Sequence, residues 1–320
     1  MKKSLFVALF LSFALLSQAQ GEKHPAVIYL DAFSEEFFKI QELQIDYTSH
    51  LIHGRGAVIT QKRDELKQAA IAAVAKVEAI PAYENDKGLK KAAIETFKSI
   101  ESMTNKDYAA IVQQKAGCTE CFAAMEIEFE VTEQAAEEAH KALIKMHKKI
   151  DLFAKEHEIQ LIDGESELAK TMAKINRING YLEQIDLSIS QASFASDEVV
   201  KAFNTQNIKI AEAAVKKMNK EMNEAQKRFK AVSSIPDDAV CIVKARLVMD
   251  FYQKMTDEMY PDMLKAFDKK GNITEAGVKI FNKNIEKINN QLPNKQAAYN
   301  QTKIELMQKS VPPPTKSFKG

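Results

Sequence analysis

Two of the three cysteines, Cys118 and Cys121, are separated by two residues and stand directly before a long helical pattern. At a helix start, the backbone dipole and the free amide groups favour a thiolate, which lowers the pKa of the first cysteine and activates dithiol redox motifs. Such motifs belong to a β-α-β context, which the sequence does not show. In an exported protein the commoner role of such a pair is structural. We therefore predict a disulfide between Cys118 and Cys121, with inert thiols, or redox or metal chemistry, as the alternatives.

The third cysteine, Cys241, lies on the apolar stripe of a different predicted helix, so we expect it to be a small buried hydrophobic residue. The alternative is a disulfide with Cys118 or Cys121, which would leave the other thiol free, because three cysteines cannot all pair within one chain. Covalent haem attachment is excluded, since Phe122 follows the pair where the haem motif requires histidine. We predict no cofactor.

A Glu-x-x-His motif, formed by Glu137 and His140, raises the question of a metal centre. Helical bundles hold dinuclear metals through two such motifs on separate helices, together with further glutamates. The sequence contains no second copy, and His140 and His147 fall beside the apolar seam, where we expect solvated polar residues. Glu137 and His140 are candidate ligands, but we predict no metal site from them.

A second set of potential metal ligands follows spacings of four, four and three residues: Glu42, Asp46, His50 and His53. These spacings place the side chains on one helix face, where a neighbouring residue could complete a zinc site. The simpler interpretation is a polar helix face that ends in a glycine turn. We predict no metal here, and these four residues are the candidates if one binds.

Common catalytic motifs are missing from the sequence. There is no Gly-x-Ser-x-Gly elbow, no phosphate loop of the Gly-x-x-x-x-Gly-Lys type and no dinucleotide glycine fingerprint. Ten glycines spread along the chain leave little scope for a phosphate cradle built from backbone amides. We therefore predict that the protein is not an enzyme.

The first 19 residues have the pattern of a cleavable export signal. A basic start precedes the apolar run Leu5–Leu16, and the small residues Ser17 and Ala19 fit the positions before a cleavage site. The run is too short to span a bilayer, and no cysteine stands nearby, so we expect cleavage after Ala19, no lipid anchor and no membrane span afterwards. The prediction is export to the periplasm, the cell surface or the medium.

The charge balance of the mature chain is close to neutral. Removal of residues 1–19 lowers the number of Lys and Arg residues from 45 to 43, against 44 Asp and Glu residues. A nucleic-acid-binding protein would normally show a basic face and a high isoelectric point. We therefore predict no nucleic-acid partner.

Apolar residues recur at alternating spacings of three and four, which is typical of helices packed in a bundle. The clearest seam predicts one helix from Phe122 to His157, and a second seam runs from Ile208 to Val232. A third seam reads Val278, Phe281, Ile285, Ile288, Leu292. Turn signals predict breaks between helices at Gly54–Gly56, Pro81–Gly88, Gly117, Asp163–Gly164, Ser193–Ser196, Pro236 and Lys270–Asn272. The fold prediction is all-α, an elongated bundle of about eight helices.

The two halves of the chain show a weak internal likeness. Ile80-Pro81 corresponds to Ile235-Pro236, and the segments that follow can be aligned with a small gap. A duplication would give two four-helix bundle halves, over residues 20–163 and 164–310. The proline-rich end, residues 311–320, is predicted to be a disordered tail.

These observations favour an exported, non-enzymatic helical protein that works as a binding, scaffold or surface protein of the bacterial cell envelope, with a protein or envelope component as its partner. The first alternative is a periplasmic thiol-redox or metal-dependent protein that uses Cys118 and Cys121. The second is a protein resembling helical pore-forming toxins, for which the least charged apolar stretch, residues 69–80, still contains Lys76 and Glu78.

Overall fold

A computed structural model describes residues 12–14, 24–53, 56–84, 86–105, 122–164, 167–268 and 271–313. These residues form nine α-helices, eight of them of 14 residues or more. The helices are α1 (Pro25–His53), α2 (Gly56–Ala79), α3 (Leu89–Thr104), α4 (Phe122–Glu156), α5 (Glu167–Asn204), α6 (Ile208–Ala231), α7 (Cys241–Lys254), α8 (Tyr260–Leu264) and α9 (Glu275–Ser310). The predicted all-α bundle of about eight helices is confirmed.

Strand structure in the described residues is limited to two short segments. β1 (Ser12–Ala14) pairs antiparallel with β2 (Ile162–Gly164), so that Phe13 lies opposite Asp163. Across the described segments, no helix combines the length and the apolar character that crossing a membrane requires.

The periodicity of the sequence predicts the second helix seam correctly. The buried face of α6 consists of Ala211, Val215, Met218, Met222, Ala225 and Phe229. The third seam is wrong at its start, because Val278 is 40% exposed while Gly277 is buried. A Cβ on Gly277 would lie 2.1 Å from the carbonyl oxygen of Ala266. The backbone of α9 therefore packs directly against the turn after α8, and Gly277 takes the buried position at the start of this helix.

The predicted break at Ser193–Ser196 is wrong, because α5 continues through these residues to Asn204. The hydroxyl oxygens of Ser196 and Tyr260 lie 2.6 Å apart, so this serine is used for an interhelical hydrogen bond. The helix ends instead at a turn in which Gln206 has a positive φ of 54°. The side chain of Asn207 then caps α6 by accepting hydrogen bonds from the backbone N–H groups of Lys209 and Ile210.

The helix α7 continues into α8 through one turn of π-helix, Met255–Met259. Pro261 explains this turn, because its ring nitrogen carries no hydrogen and cannot donate to the carbonyl group four residues earlier. The N–H group of Tyr260 bonds instead to the carbonyl oxygen of Met255, five residues back. Tyr252 and Tyr260, which lie before and after this turn, are both buried.

The described chain divides into two compact units. Unit 1 comprises the described residues of Met1–Gly117, Ile127–Ile178 and Met307–Gly320, and unit 2 those of Cys118–Glu126 and Asn179–Leu306. Among the described residues, these divisions fall inside α4, α5 and α9. The boundary at residue 164 and the internal duplication stay predictions.

Unit 1 has a main core and a smaller cluster. The main core joins α1 to α4 through large buried side chains that include Leu30, Phe33, Leu66, Phe97, Ile150 and Phe153. The smaller cluster consists of Met172, Ile175 and Val311, with Ile45, Ile52 and Met307 packed against it.

The start of the predicted disordered tail is packed in the structure. Val311 is 1% exposed, and the hydroxyl group of Ser49 donates a hydrogen bond of 2.8 Å to the carbonyl oxygen of Pro312. The packed part of the chain therefore extends two residues beyond Ser310, because Val311 fills an apolar gap beside α5. Residues 314–320 lie outside the described residues.

Candidate functional site

The cysteine pair that dominates the sequence, Cys118 and Cys121, lies outside the described residues, so its disulfide stays a prediction. Cys241 is a free thiol and is 2% exposed, as expected of a small buried hydrophobic residue. Burial, followed by the nearby carboxylate of Asp238, raises the pKa of Cys241 to about 11. The thiol therefore stays protonated at neutral pH and is a poor nucleophile.

The four residues of the zinc hypothesis point to different partners. His50 and Asp46 approach to 3.1 Å, and the Nζ atom of Lys62 lies 3.0 Å from the other oxygen of Asp46. His53 places its Nε2 atom 3.3 Å from the carbonyl oxygen of Val311, while Glu42 is exposed. The structure thus brings together two of the four, with a lysine as their neighbour.

The second pair of candidate ligands lies on α4. The carboxylate of Glu137 forms an ion pair of 2.8 Å with Lys141, and His140 is half-buried. Burial lowers the pKa of His140. Within the described ranges, no group of three or more His, Cys, Asp or Glu side chains is arranged to hold a metal ion.

His147 is not the solvated residue that its position beside the seam predicts. Its side chain is 3% exposed. The buried face of α4 is wider than a heptad seam, because Met146, His147 and Ile150 all face inward. Burial, assisted by the neighbouring His140, lowers the pKa of His147 to about 4, so the residue is neutral at physiological pH.

A polar network that the sequence analysis missed connects α5, α7 and α9 in unit 2. The carboxylate of Asp238 accepts hydrogen bonds from the backbone N–H groups of residues 240–242 at 2.7 to 2.9 Å and from the hydroxyl group of Tyr181. Asp186 accepts from the hydroxyl group of Tyr299 at 2.8 Å and from Lys303 at 2.6 Å. Burial and the adjacent carboxylates raise the pKa of both tyrosines.

The partners in this network satisfy one another, so its chemistry is structural. An aspartate just before a helix is an N-terminal capping signal, and Asp238 could have been recognised from the sequence alone. The link from Asp186 to Tyr299 could not, because the two residues are 113 positions apart.

We expect Asp238→Ala to lower the free energy of unfolding by about 1 to 2 kcal/mol, since it removes the cap of α7 and the acceptor for Tyr181. Urea denaturation of the purified protein measures the change. Asp238→Asn should restore only part of the loss, because its single amide oxygen can accept from the N–H groups of residues 240 and 241 while its amide nitrogen cannot accept from Ile242 or Tyr181. The matched control is Asp237→Ala, at the exposed residue directly before Asp238. An equal loss of unfolding free energy in this variant would contradict the assignment of Asp238 as the cap.

The surface of unit 2 contains a cleft of about 290 Å³ between α6 and α7. We name it the α6–α7 groove. It is lined by Gln226, Phe229, Lys230, Val232, Ile242, Arg246 and Asp250. Beside it, α7 and the residue directly before it expose three large apolar side chains, which we name the α7 stripe: Val240, Val243 and Leu247, at 52%, 47% and 42% exposure.

Comparison with known proteins adds no assignment. No protein-family model matches the chain, and neither the curated proteins nor the solved structures include a significant match.

Proposed function

We propose that this chain is an exported, non-enzymatic helical binding or scaffold protein of the bacterial cell envelope. The export-signal pattern of residues 1–19 and the near-neutral charge of the mature chain support this proposal. The observation that carries it is the α7 stripe, because it offers apolar surface for contact with a partner.

The α7 stripe is unusual for a helix on a protein surface. The spacings of three and four residues place Val240, Val243 and Leu247 along one face of the helix. The opposite face of α7 is already buried through Ala245, Val248 and Tyr252. An amphipathic surface helix normally carries polar residues on its outer face, and contiguous exposed apolar side chains mark interaction surfaces.

Site-specific photo-cross-linking in the producing cells tests the proposal. A photoreactive amino acid in place of Leu247 should give light-dependent adducts of defined mass in the envelope fraction. The matched control is Leu152 on α4, which is 48% exposed and has no such stripe around it. The proposal fails if positions 247 and 152 give the same adducts, or if position 247 gives none.

The thiol and metal alternative makes a different prediction. If Cys118 and Cys121 perform redox or metal chemistry, Cys121→Ser should abolish an activity while the helical content measured by circular dichroism stays unchanged. If the pair is a structural disulfide, the same substitution should only lower the melting temperature. The loss should be below the ~3 kcal/mol expected for a closed loop of fifteen residues.

A further inference from the structure

The α6–α7 groove has a shape into which another helix could pack. Its wall on α7 consists of Ile242, Arg246 and Asp250, which follow one another at intervals of four residues. Such a row forms a ridge along a helix, and the groove beside a ridge is where the side chains of a packed helix insert. At ~1.5 Å per residue, the row is about 12 Å long, or two helical turns. The buried ring of Phe229, which is 7% exposed, contributes to the floor.

The groove and the α7 stripe are parts of one surface. Val243 and Leu247 directly follow Ile242 and Arg246 in sequence, and one residue corresponds to about 100° around a helix. The exposed apolar side chains therefore form a shelf beside the groove. An occupant that covers both must be about as wide as a helix with its side chains, ~10 Å, which exceeds the width of a single extended small molecule.

The charges around this surface favour an acidic occupant. Lys230, Arg246 and Asp250 are all exposed and line the groove, giving two positive charges against one negative. No ion pair of these three side chains occurs among the residues that the structure describes. A carboxylate arriving from a partner would find Arg246 and Lys230 available, and complementary charges fix both the choice and the orientation of a partner.

We propose that the α6–α7 groove and the α7 stripe bind an amphipathic helix of another protein whose apolar face is flanked by carboxylates. Its apolar residues at intervals of three and four cover Phe229, Ile242 and Leu247, which is the helix-in-groove mode of peptide recognition. Its acidic residues pair with Arg246 and Lys230. This inference rests on the proposed binding function and names the site and the chemistry of the partner.

Fluorescence anisotropy with three labelled helical peptides of about 18 residues tests the inference. The first peptide carries a leucine stripe flanked by Glu, the second the same stripe flanked by Lys, and the third the Glu composition with scrambled leucine positions. We expect the first to bind at least about tenfold more tightly than the other two, with affinity falling as salt rises. Equal binding of the three peptides overturns the proposal.

Substitutions in the full chain locate the binding site. Arg246→Glu should weaken the first peptide about tenfold and reduce its advantage over the second, because the flanking charges no longer match. Leu247→Asp should weaken all stripe-dependent binding. The matched controls, Leu152→Asp and Lys279→Glu, change exposed residues elsewhere and should leave the affinity unchanged. Binding that neither groove substitution affects overturns the assignment.

Two other occupants give distinct outcomes. A Leu247-dependent dimer seen by analytical ultracentrifugation would identify a second copy of this chain as the occupant. Arg246-dependent sedimentation with vesicles of anionic phospholipid, without preference among the peptides, would identify a membrane surface. Either result overturns the proposal of an acidic helix. Adducts at position 247 in cells, together with equal peptide binding, would leave the binding function standing and remove only this inference.

Discussion

The native protein should lose about 3 kcal/mol of its free energy of unfolding between about pH 7 and pH 4, and the His147→Leu variant should not show this loss. The side chain is 3% exposed, and burial lowers its pKa from 6.5 to about 4. The unfolded chain therefore takes up a proton below about pH 6.5, while the folded chain stays neutral until about pH 4. The contribution of neutral His147 to the free energy of unfolding is therefore complete above about pH 6.5 and is lost as the pH falls from about 6.5 to about 4.

Urea denaturation at several pH values between about 7 and 4 measures the effect as the difference between the native protein and His147→Leu. Carboxylates also titrate at the acidic end. A hydrogen bond from Lys62 lowers the pKa of Glu65, and one from Lys145 lowers the pKa of Glu95. Their contribution is common to both proteins and cancels in the difference. Leu152→Ala, at an exposed residue of the same helix, should keep the native pH profile, and parallel profiles for the native protein and His147→Leu would contradict the prediction.

Gly277→Ala should lower the free energy of unfolding by about 3 kcal/mol, the upper end of the range for overpacking. The new Cβ atom would lie 2.1 Å from the carbonyl oxygen of Ala266 and 2.7 Å from its Cα atom. Backbone atoms cannot rotate away as a flexible side chain can, so α9 must move from the turn that follows α8. Helix propensity acts in the opposite direction, since alanine is favoured over glycine by about 1 kcal/mol in a helix.

Thermal and urea unfolding followed by circular dichroism measure this loss. Asn282→Ala, on the exposed face of the same helix, supplies the control for propensity and should be neutral or slightly stabilising. If Gly277→Ala fails to fold while Asn282→Ala folds, the loss is at least as large as the free energy of unfolding of the native protein measured in urea. A melting temperature equal to that of Asn282→Ala would show that the close approach to Ala266 is not tight.

The sequence predicted those features that depend on neighbours three or four residues apart. The buried face of α6 is the clearest, because a single apolar stripe decides how that helix packs. The break expected at Ser193–Ser196 failed, because the partner of Ser196 is Tyr260, 64 residues away. The prediction that His147 is solvated failed for a similar reason, since the breadth of the buried face of α4 depends on how many helices pack against it.

The candidate site was less accessible to prediction than the helices. The residues of the α6–α7 groove come from two helices and from Val232, which directly follows the first of them, and their side chains form a surface only after both helices have packed. The stripe Val240, Val243 and Leu247 could have been noticed at helical spacing, but the same helix has a second apolar stripe through Cys241 and Tyr252. The sequence analysis correctly expected the stripe through Cys241 to be buried, but it did not follow the second stripe, which faces solvent.

The packing of Val311 has a consequence for the order in which the chain can fold. The hydrogen bond between Ser49 and Pro312 joins residues 263 positions apart, and Val311 completes the cluster that contains Met172 and Ile175. Contacts of such long range close slowly, because loop entropy must be overcome before they form. As synthesis proceeds from the N-terminus, the end of α1 and the beginning of α5 therefore cannot complete their packing until Val311 and Pro312 have been made. Unit 1 therefore contains α1, which is made early, but its smaller cluster is completed only after Val311 has been made.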